Sequence, residues 1–176
     1  MEQGKCLYHG SVIGGLDIIL ANAKSHTDGS RVAYFSSDRV YALVCCRSRE
    51  ENFVTMGPRD GVQHYFERFP DQLRVMYEGK EGFIYRPVSC GTLEHTRDHT
   101  WESQEDVPAV LHEYVPDVYA AILEEEKARN VVIHRYEEID PAEQKAHANH
   151  LRDYVQNNPQ LTYRDFVMEQ FSALRD

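Results

Sequence analysis

The sequence has few of the features that mark membrane, disulfide-rich or zinc-binding proteins. In its 176 residues no apolar run approaches the roughly 20 residues of a membrane-spanning helix, and no N-terminal stretch joins a basic region to a long apolar one. The four cysteines are Cys6, Cys45, Cys46 and Cys90, and they form no C-x-x-C motif. Their spacing fits neither a zinc ribbon nor a small disulfide scaffold. We therefore expect a reduced, cytoplasmic protein.

Basic side chains are also scarce. The chain has 19 Lys and Arg residues against 29 Asp and Glu residues, which gives a formal net charge of -10. A field of this sign repels phosphate backbones and anionic membrane surfaces. A protein or a small molecule is therefore a better expected partner than nucleic acid, and no membrane partner is expected. A local basic pocket for a dinucleotide remains compatible with this charge.

Several common catalytic and metal-binding motifs are missing. The sequence contains no G-x-G-x-x-G, P-loop, G-x-S-x-G or H-E-x-x-H motif, which excludes only the families that those motifs define. Two histidine pairs have the spacing of metal ligands on one helix face, His95 with His99 and His147 with His150. Neither pair has a cysteine or further histidine at ligand spacing, so no metal is expected.

The composition favours a folded protein with both strands and helices. Hydrophobic residues make up 41% of the chain and charged residues 27%, as in ordinary globular domains. Apolar runs predict strands at 31–35, 72–77, 82–88, 109–115 and 130–139, of which the second and third form a hairpin. Helix signals follow Asp38, Pro116, Asp140 and Thr162, and the polar segment 90–108 reads as an irregular connection.

Three short motifs follow one another along the chain in an order that is typical of a known family. They are "LYHGS" at residues 7–11, "YFSS" at 34–37 before a helix that carries Tyr41, and "HEYV" at 112–115 on a late strand that leads into a helix. In this order the chain resembles the ADP-ribosyltransferase superfamily. It is most similar to the branch with a His-Tyr-Glu triad, which includes diphtheria-toxin-like enzymes and poly-ADP-ribose polymerases. The resemblance covers about residues 5–45 and 109–123.

The resemblance implies an α+β fold. Its core is two packed antiparallel β-sheets with short helices, expected here over residues 1–140. A helical C-terminal extension over residues 141–176 is expected to pack on the same domain. The Ser-Thr-Ser motif of the arginine-modifying branch is absent from this sequence.

The resemblance also implies a site for NAD, which is the substrate in this superfamily. His9 would hold the hydroxyls of the nicotinamide ribose, and the backbone of Gly10 would pair with the nicotinamide amide. A bare glycine backbone suits such close approach. The flat nicotinamide ring would lie between two aromatic rings, with a serine at its amide. The residues implied in these last roles are Tyr34, Tyr41 and either Ser36 or Ser37.

Glu113 is implied as the catalytic residue. Breaking the bond between nicotinamide and ribose builds positive charge on the sugar, and a nearby carboxylate stabilises that charge or orients the nucleophile. Other glutamates remain open for this role, namely Glu81, Glu94 and Glu138. Arg31, Arg39 and Arg86 are candidates for the pyrophosphate, because guanidinium suits phosphate oxygens.

The function implied is transfer of ADP-ribose from NAD to an unknown acceptor with release of nicotinamide. The alternative is a catalytically inactive module on the same fold that binds NAD, ADP-ribose or a protein. The residues also have ordinary structural uses: His9 can end a strand at the surface, and Tyr34 and Tyr41 can be core aromatics.

Overall fold

The computed structural model describes residues 6–25, 27–48 and 53–172. The chain divides into two compact units. Unit 1 comprises Met1–Cys46 and Gly79–Ile122, and unit 2 comprises Arg47–Glu78 and Leu123–Asp176. The fold is mixed α+β with mainly antiparallel sheets, which confirms the predicted class. The boundary expected at residue 140 lies within unit 2, and the domain division from the sequence stays a prediction.

The described residues form eleven strands and five α-helices. The strands are β1 His9–Ser11, β2 Ile18–Ile19, β3 Ala23–Lys24, β4 Arg31–Ser36, β5 Thr55–Arg59, β6 Val62–Phe66, β7 Gly82–Pro87, β8 Glu94–Arg97, β9 Thr100–Ser103, β10 Val107–Val115 and β11 Val131–His134. The α-helices are α1 Arg39–Val44, α2 Gln72–Tyr77, α3 Val118–Lys127, α4 Pro141–Asn157 and α5 Arg164–Ser172. None of these helices is long and apolar enough to cross a membrane.

Unit 1 contains two four-stranded antiparallel sheets. Their orders are β1-β7-β10-β2 and β3-β4-β9-β8. Tyr8 and Ser36 join the start of β1 to the end of β4 through two backbone hydrogen bonds of 2.7 and 2.8 Å. Apolar side chains from both sheets form one buried cluster, namely Leu7, Ile19, Ala33, Phe35, Tyr85, Leu93, Val107 and Ala109.

Helix α1 begins where the sequence predicts it. The Asp38 side chain accepts hydrogen bonds from the backbone N–H groups of Val40 and Tyr41, at 2.8 and 3.3 Å. This capping satisfies two donors that the first turn of a helix cannot pair internally. The buried residues of α1 include Val40, Leu43 and Val44, so the helix rests on its apolar face. The cap therefore fixes the first turn of α1, which carries Arg39 and Tyr41.

Unit 2 contains a three-stranded sheet of order β11-β6-β5. β5 and β6 form an antiparallel hairpin whose turn residues, Asp60 and Gly61, both have positive φ, and β11 pairs with β6 in parallel. Helices α4 and α5 supply most of an apolar cluster around Phe69. Its other buried members are Ala148, Leu151, Val155 and Val167.

Two predictions of secondary structure are wrong, and the strand predicted at 130–139 is correct only for Val131–His134, because Tyr136–Glu138 forms a 3₁₀ helix. Residues 72–77 form helix α2 rather than a strand, so the predicted hairpin with β7 does not exist. Gln72, Leu73, Met76 and Tyr77 are buried together, which is the spacing of one helix face. The segment predicted to be an irregular connection contains the β8–β9 hairpin, where His95 pairs with Trp101.

Candidate functional site in unit 1

His9 is held in one tautomer by the backbone of β4. Its Nδ1 lies 2.8 Å from the Tyr34 carbonyl oxygen, and its partly buried ring contacts the Phe35 ring at a centroid distance of 5.6 Å. A carbonyl only accepts hydrogen bonds, so Nδ1 carries the proton. Burial lowers the pKa of His9, and the bond to Tyr34 opposes part of this effect. The imidazole is therefore neutral near pH 7, and Nε2 is a hydrogen-bond acceptor.

Gly10 brings strand β1 into contact with the backbone of helix α1. A Cβ at this position would lie 1.8 Å from the Ala42 carbonyl oxygen and 3.2 Å from the Cys46 sulfur. No side chain fits in that space, so the glycine is a packing requirement. The predicted pairing of its backbone with a nicotinamide amide stays a prediction.

The remaining residues predicted to bind NAD lie on β4 and α1. Tyr34 stands opposite Glu102 in β9, on the sheet face opposite to Phe35, and its hydroxyl donates to the Lys24 carbonyl at 3.0 Å. Ser36 is buried, and its hydroxyl accepts a hydrogen bond from the Asp38 N–H at 3.0 Å. Tyr41 is partly buried in the first turn of α1. The contact that joins His9 to Tyr34 is a hydrogen bond to the backbone, and the Tyr34 ring projects from the other side of β4.

Glu113 is held by two hydrogen bonds from Arg39 at the start of α1. Arg39 Nε donates to Glu113 Oε2 at 2.9 Å, and Nη2 donates to Oε1 at 2.5 Å. These bonds and the positive charge lower the pKa of Glu113, while partial burial opposes the shift. The carboxylate is therefore ionised at neutral pH, and both of its oxygens are engaged.

Glu113 and His9 project from opposite faces of the first sheet. Gly10 stands opposite Ile84 and Ile84 stands opposite Glu113, so these three share the face on which α1 lies. His9 stands opposite Tyr85, whose side chain belongs to the buried cluster between the sheets. The register of β10 shifts between Leu111 and Glu113, which places Glu113 toward Arg39.

The three alternative glutamates lie elsewhere. Glu81 and Glu94 are exposed, just before β7 and at the start of β8. Glu138 lies in unit 2, in a short 3₁₀ helix where its carboxylate accepts a hydrogen bond from the Arg135 backbone. Of the four candidates, Glu113 is the one on the face of α1 and β1.

Two residues without a predicted role, Tyr8 and His112, and the pyrophosphate candidate Arg86 form a cluster on the first sheet. The Tyr8 ring lies 5.8 Å from the ring of His112, the neighbour of Glu113. The Arg86 guanidinium lies 5.2 Å from the centroid of the Tyr8 ring and donates a 3.4 Å hydrogen bond to its hydroxyl. No carboxylate among the described residues forms an ion pair with Arg86, and its buried Nε has no partner there. The period of two along a strand was the available signal, since it sets Tyr8 and Gly10 on one face.

Unit 1 also contains a cavity of about 450 Å³ beside the second sheet. Glu102 is buried in its wall and accepts hydrogen bonds from Ser25 at 2.8 Å and Thr96 at 3.1 Å. The other lining residues are mainly hydroxyl and acidic side chains, namely Thr27, Asp28, Ser30, Val32, Thr92, Glu94, Ser103, Gln104 and Glu105. Four carboxylates repel phosphate groups, so this cavity does not suit a dinucleotide.

Within the described residues, no group of three or more His, Cys, Asp or Glu side chains could hold a metal ion. Comparisons of the chain with family models, with curated proteins and with solved structures give no match.

Proposed function

We propose that unit 1 has an ADP-ribosyltransferase-like core that binds NAD and transfers its ADP-ribose group to an acceptor. The observation that carries this proposal is the state of His9, which is neutral with its Nδ1 proton fixed on the Tyr34 carbonyl. Its Nε2 can then accept a hydrogen bond from a ribose hydroxyl. The resemblance assigns this role to the histidine at this position.

The reaction needs a carboxylate that stays charged. The bond between the ribose C1′ and the nicotinamide nitrogen breaks, and nicotinamide leaves with the bonding electron pair as a neutral ring. Positive charge develops on the ribose, and an acceptor nucleophile then bonds to C1′ and gives up a proton. Glu113 is ionised through Arg39 and so can stabilise the charged sugar or take that proton.

The face that carries Glu113 also offers a cation without an ionic partner. Arg86 stacks on Tyr8 and forms no ion pair with the described residues, in a protein whose net charge is -10. Guanidinium binds phosphate oxygens through paired N–H donors. Arg86 is therefore the best-supported of the three candidate arginines for the pyrophosphate of NAD. Arg39 is already engaged with Glu113.

A second candidate function is binding of NAD or ADP-ribose without transfer. One observation favours it, which is that Arg39 engages both oxygens of Glu113 while His9 projects from the other face of the sheet. A transferase of this design would have to open the Arg39–Glu113 pair and bring the carboxylate to the ribose that His9 holds when substrate binds. A module that only binds NAD or ADP-ribose can keep the Arg39–Glu113 pair closed.

Nicotinamide release from NAD by the full chain separates the two functions. We expect release by the native chain and a fall of roughly 100-fold or more in kcat for Glu113→Gln, because the variant keeps the shape but loses the charge. Glu105→Gln is the matched control, since Glu105 is exposed between β9 and β10, and it should stay within roughly twofold of the native rate.

The other outcomes are also informative. Equal rates for Glu113→Gln and the native chain would remove Glu113 from the catalytic role. Binding of NAD in a calorimetric titration without nicotinamide release would favour the binding module. A correctly folded chain that shows no heat of NAD binding would overturn both functions.

A further inference from the structure

The three-stranded sheet of unit 2 has one buried face and one accessible face. Gln63 and Tyr65 of β6 are buried, whereas His64 and Phe66 alternate with them and are partly exposed. Cross-strand neighbours extend the accessible side. We call it the basic–aromatic face, and its members are Thr55, Gly57, Arg59, His64, Phe66, Arg68 and His134.

Three rings are stacked against one another on this face, and we call them the ring layer. The rings of Phe66 and His134 are parallel within 2° at a centroid distance of 4.3 Å, and His64 lies 5.1 Å from His134. His64 Nδ1 and His134 Nε2 are 2.8 Å apart, so one nitrogen donates a proton and the other accepts it. This hydrogen bond holds the two imidazoles in a fixed mutual arrangement beside the phenyl ring.

Two guanidinium groups lie over the Phe66 ring of this layer. Arg59 lies 4.5 Å and Arg68 5.9 Å from the centroid of the Phe66 ring. Arg68 is oriented by Thr55, whose hydroxyl accepts from Nε at 3.0 Å, and by the His147 ring at 2.6 Å from Nη1. Among the described residues neither arginine forms an ion pair with a carboxylate.

Acidic groups near the face are few. Glu143 acts on Arg68 and Glu138 on His134, each only through its longer-range electrostatic field. The two arginines thus bring positive charge to one surface of a chain that is acidic as a whole. Such a local reversal of sign attracts a small anion, although the net charge of -10 works against a long polyanion.

Space for a ligand exists beside the rings. Gly57 stands opposite His64 in the β5–β6 pair, and a Cβ at Gly57 would meet no atom within 4 Å. At Gly57, no side chain therefore covers the surface of β5 next to the ring layer. A planar group can approach the rings from this side.

We propose that the basic–aromatic face binds a nucleotide, with the base stacked on the ring layer and the phosphate held by Arg59 and Arg68. Stacking on aromatic side chains and pairing with guanidinium are the two interactions that recognise a nucleobase and a phosphate together. The ligand is a free nucleotide or a single nucleotide of a nucleic-acid strand, because two guanidinium groups match one phosphate. All of these residues belong to unit 2, so the proposal does not depend on the function of unit 1.

Titration of the full chain with AMP and GMP, followed by NMR, tests the proposal. We expect changes in the amide signals of Phe66, His134 and Arg59, and roughly tenfold weaker binding for Phe66→Leu and for Arg59→Gln. The leucine keeps an apolar side chain but removes the π surface. Arg74→Gln is the matched control, because Arg74 is an exposed arginine of unit 2 that pairs with Asp71, and its affinity should stay within roughly twofold of the native chain.

Two further ligands identify the source of the nucleotide and challenge the proposal. A short single-stranded oligonucleotide that binds more tightly than AMP, and is weakened by the same two variants, supports the proposal with a nucleic-acid strand as the source. Inorganic phosphate that binds as well as AMP would overturn the role of the rings. Absence of signal changes with either nucleotide, or equal affinity of Phe66→Leu and the native chain, would overturn the proposal.

Discussion

His9 and Gly10 are adjacent in the chain but project from opposite faces of the first sheet. Gly10 faces the backbone of α1, where its missing side chain is required, and His9 faces Phe35 on the other side. Glycine at this position therefore has a packing reason that is independent of any ligand. The dipeptide that suggests NAD binding also fixes how closely β1 and α1 approach each other.

Substitution of Gly10 by alanine should be strongly destabilising. The new Cβ would overlap the Ala42 carbonyl, a backbone group that cannot rotate away, so α1 or β1 must shift. We expect the free energy of unfolding to fall by roughly 2–3 kcal/mol in urea denaturation. Gly57→Ala has open space at its Cβ and should change it by about 0.5 kcal/mol at most. Similar stability of the two variants would show that β1 and α1 are not in this close contact.

The Arg39–Glu113 pair links the start of α1 to strand β10. It is bidentate and partly shielded, with about 30% of each side chain exposed. The pKa of Glu113 is below its ordinary value in the folded chain. A carboxyl group of this kind stabilises the fold above its unfolded pKa, about 4.3, and that stabilisation is lost as the pH falls through the lower folded pKa.

Arg39→Gln should therefore reduce stability in a pH-dependent way. We expect a loss of about 1 kcal/mol in the free energy of unfolding near pH 7, and a difference from the native chain that shrinks as the pH falls from about 5 to 3. Denaturation curves at several pH values measure it. Lys127→Gln disrupts an exposed pair with Glu124 and should cost less than about 0.5 kcal/mol. A difference for Arg39→Gln that is constant with pH would contradict the proposed ionisation of Glu113.

At the scale of elements, local signals predict some segments correctly and tertiary packing decides others. Strand β4 and helix α1 appear where an apolar run and the Asp38 cap predict them, and strand β10 followed by α3 is also correct. The sequence predicts a strand in place of helix α2 because Val75 and Tyr77 favour strands. The helix is anchored at Gln72, whose side chain accepts from the Arg68 N–H at 2.6 Å and donates to the Phe53 carbonyl at 2.7 Å. Neither contact can be inferred from residues 72–77 alone.

A pair of valine substitutions tests the assignment of α2. Val75 is 44% exposed on α2 and Val132 is 40% exposed on β11. Alanine is the better helix former and the poorer strand former, so Val75→Ala should raise the free energy of unfolding by about 0.5 kcal/mol and Val132→Ala should lower it by a similar amount. A loss of stability for Val75→Ala, measured in the same denaturation experiments, would contradict a helix at residues 72–77.

At the scale of the whole molecule, neither unit is continuous in the sequence. The chain leaves unit 1 after Cys46, returns at Gly79 and leaves again within α3. The sequence predicts a boundary at residue 140 because the composition changes there. The candidate site of unit 1 joins residues 8–10, 34–41, 86 and 112–113, whose proximity depends on strand pairing across the gap. Sequence order identifies His9, Tyr34 and Glu113 as candidates. It does not show the register shift in β10, which places Glu113 on the sheet face opposite to His9 and beside Arg39.

The net charge is a second property of the whole molecule that local arrangement modifies. A value of -10 predicts that the protein as a whole repels phosphates. Arg86 in unit 1 and the Arg59 and Arg68 pair in unit 2 nevertheless have no carboxylate partner among the described residues. Both proposed ligand sites are therefore local exceptions to the overall acidity.

The most direct test of the account is the location of NAD on the folded full chain. We predict that titration with NAD, followed through assigned amide signals, shifts residues 8–10, 34–41 and 112–113 of unit 1 with a common saturation curve. Nicotinamide alone should reproduce the part of this pattern around His9 and Tyr34. Signals of unit 1 that remain unchanged at saturating NAD, in a chain whose spectrum shows a folded protein, would contradict the proposal that unit 1 binds NAD.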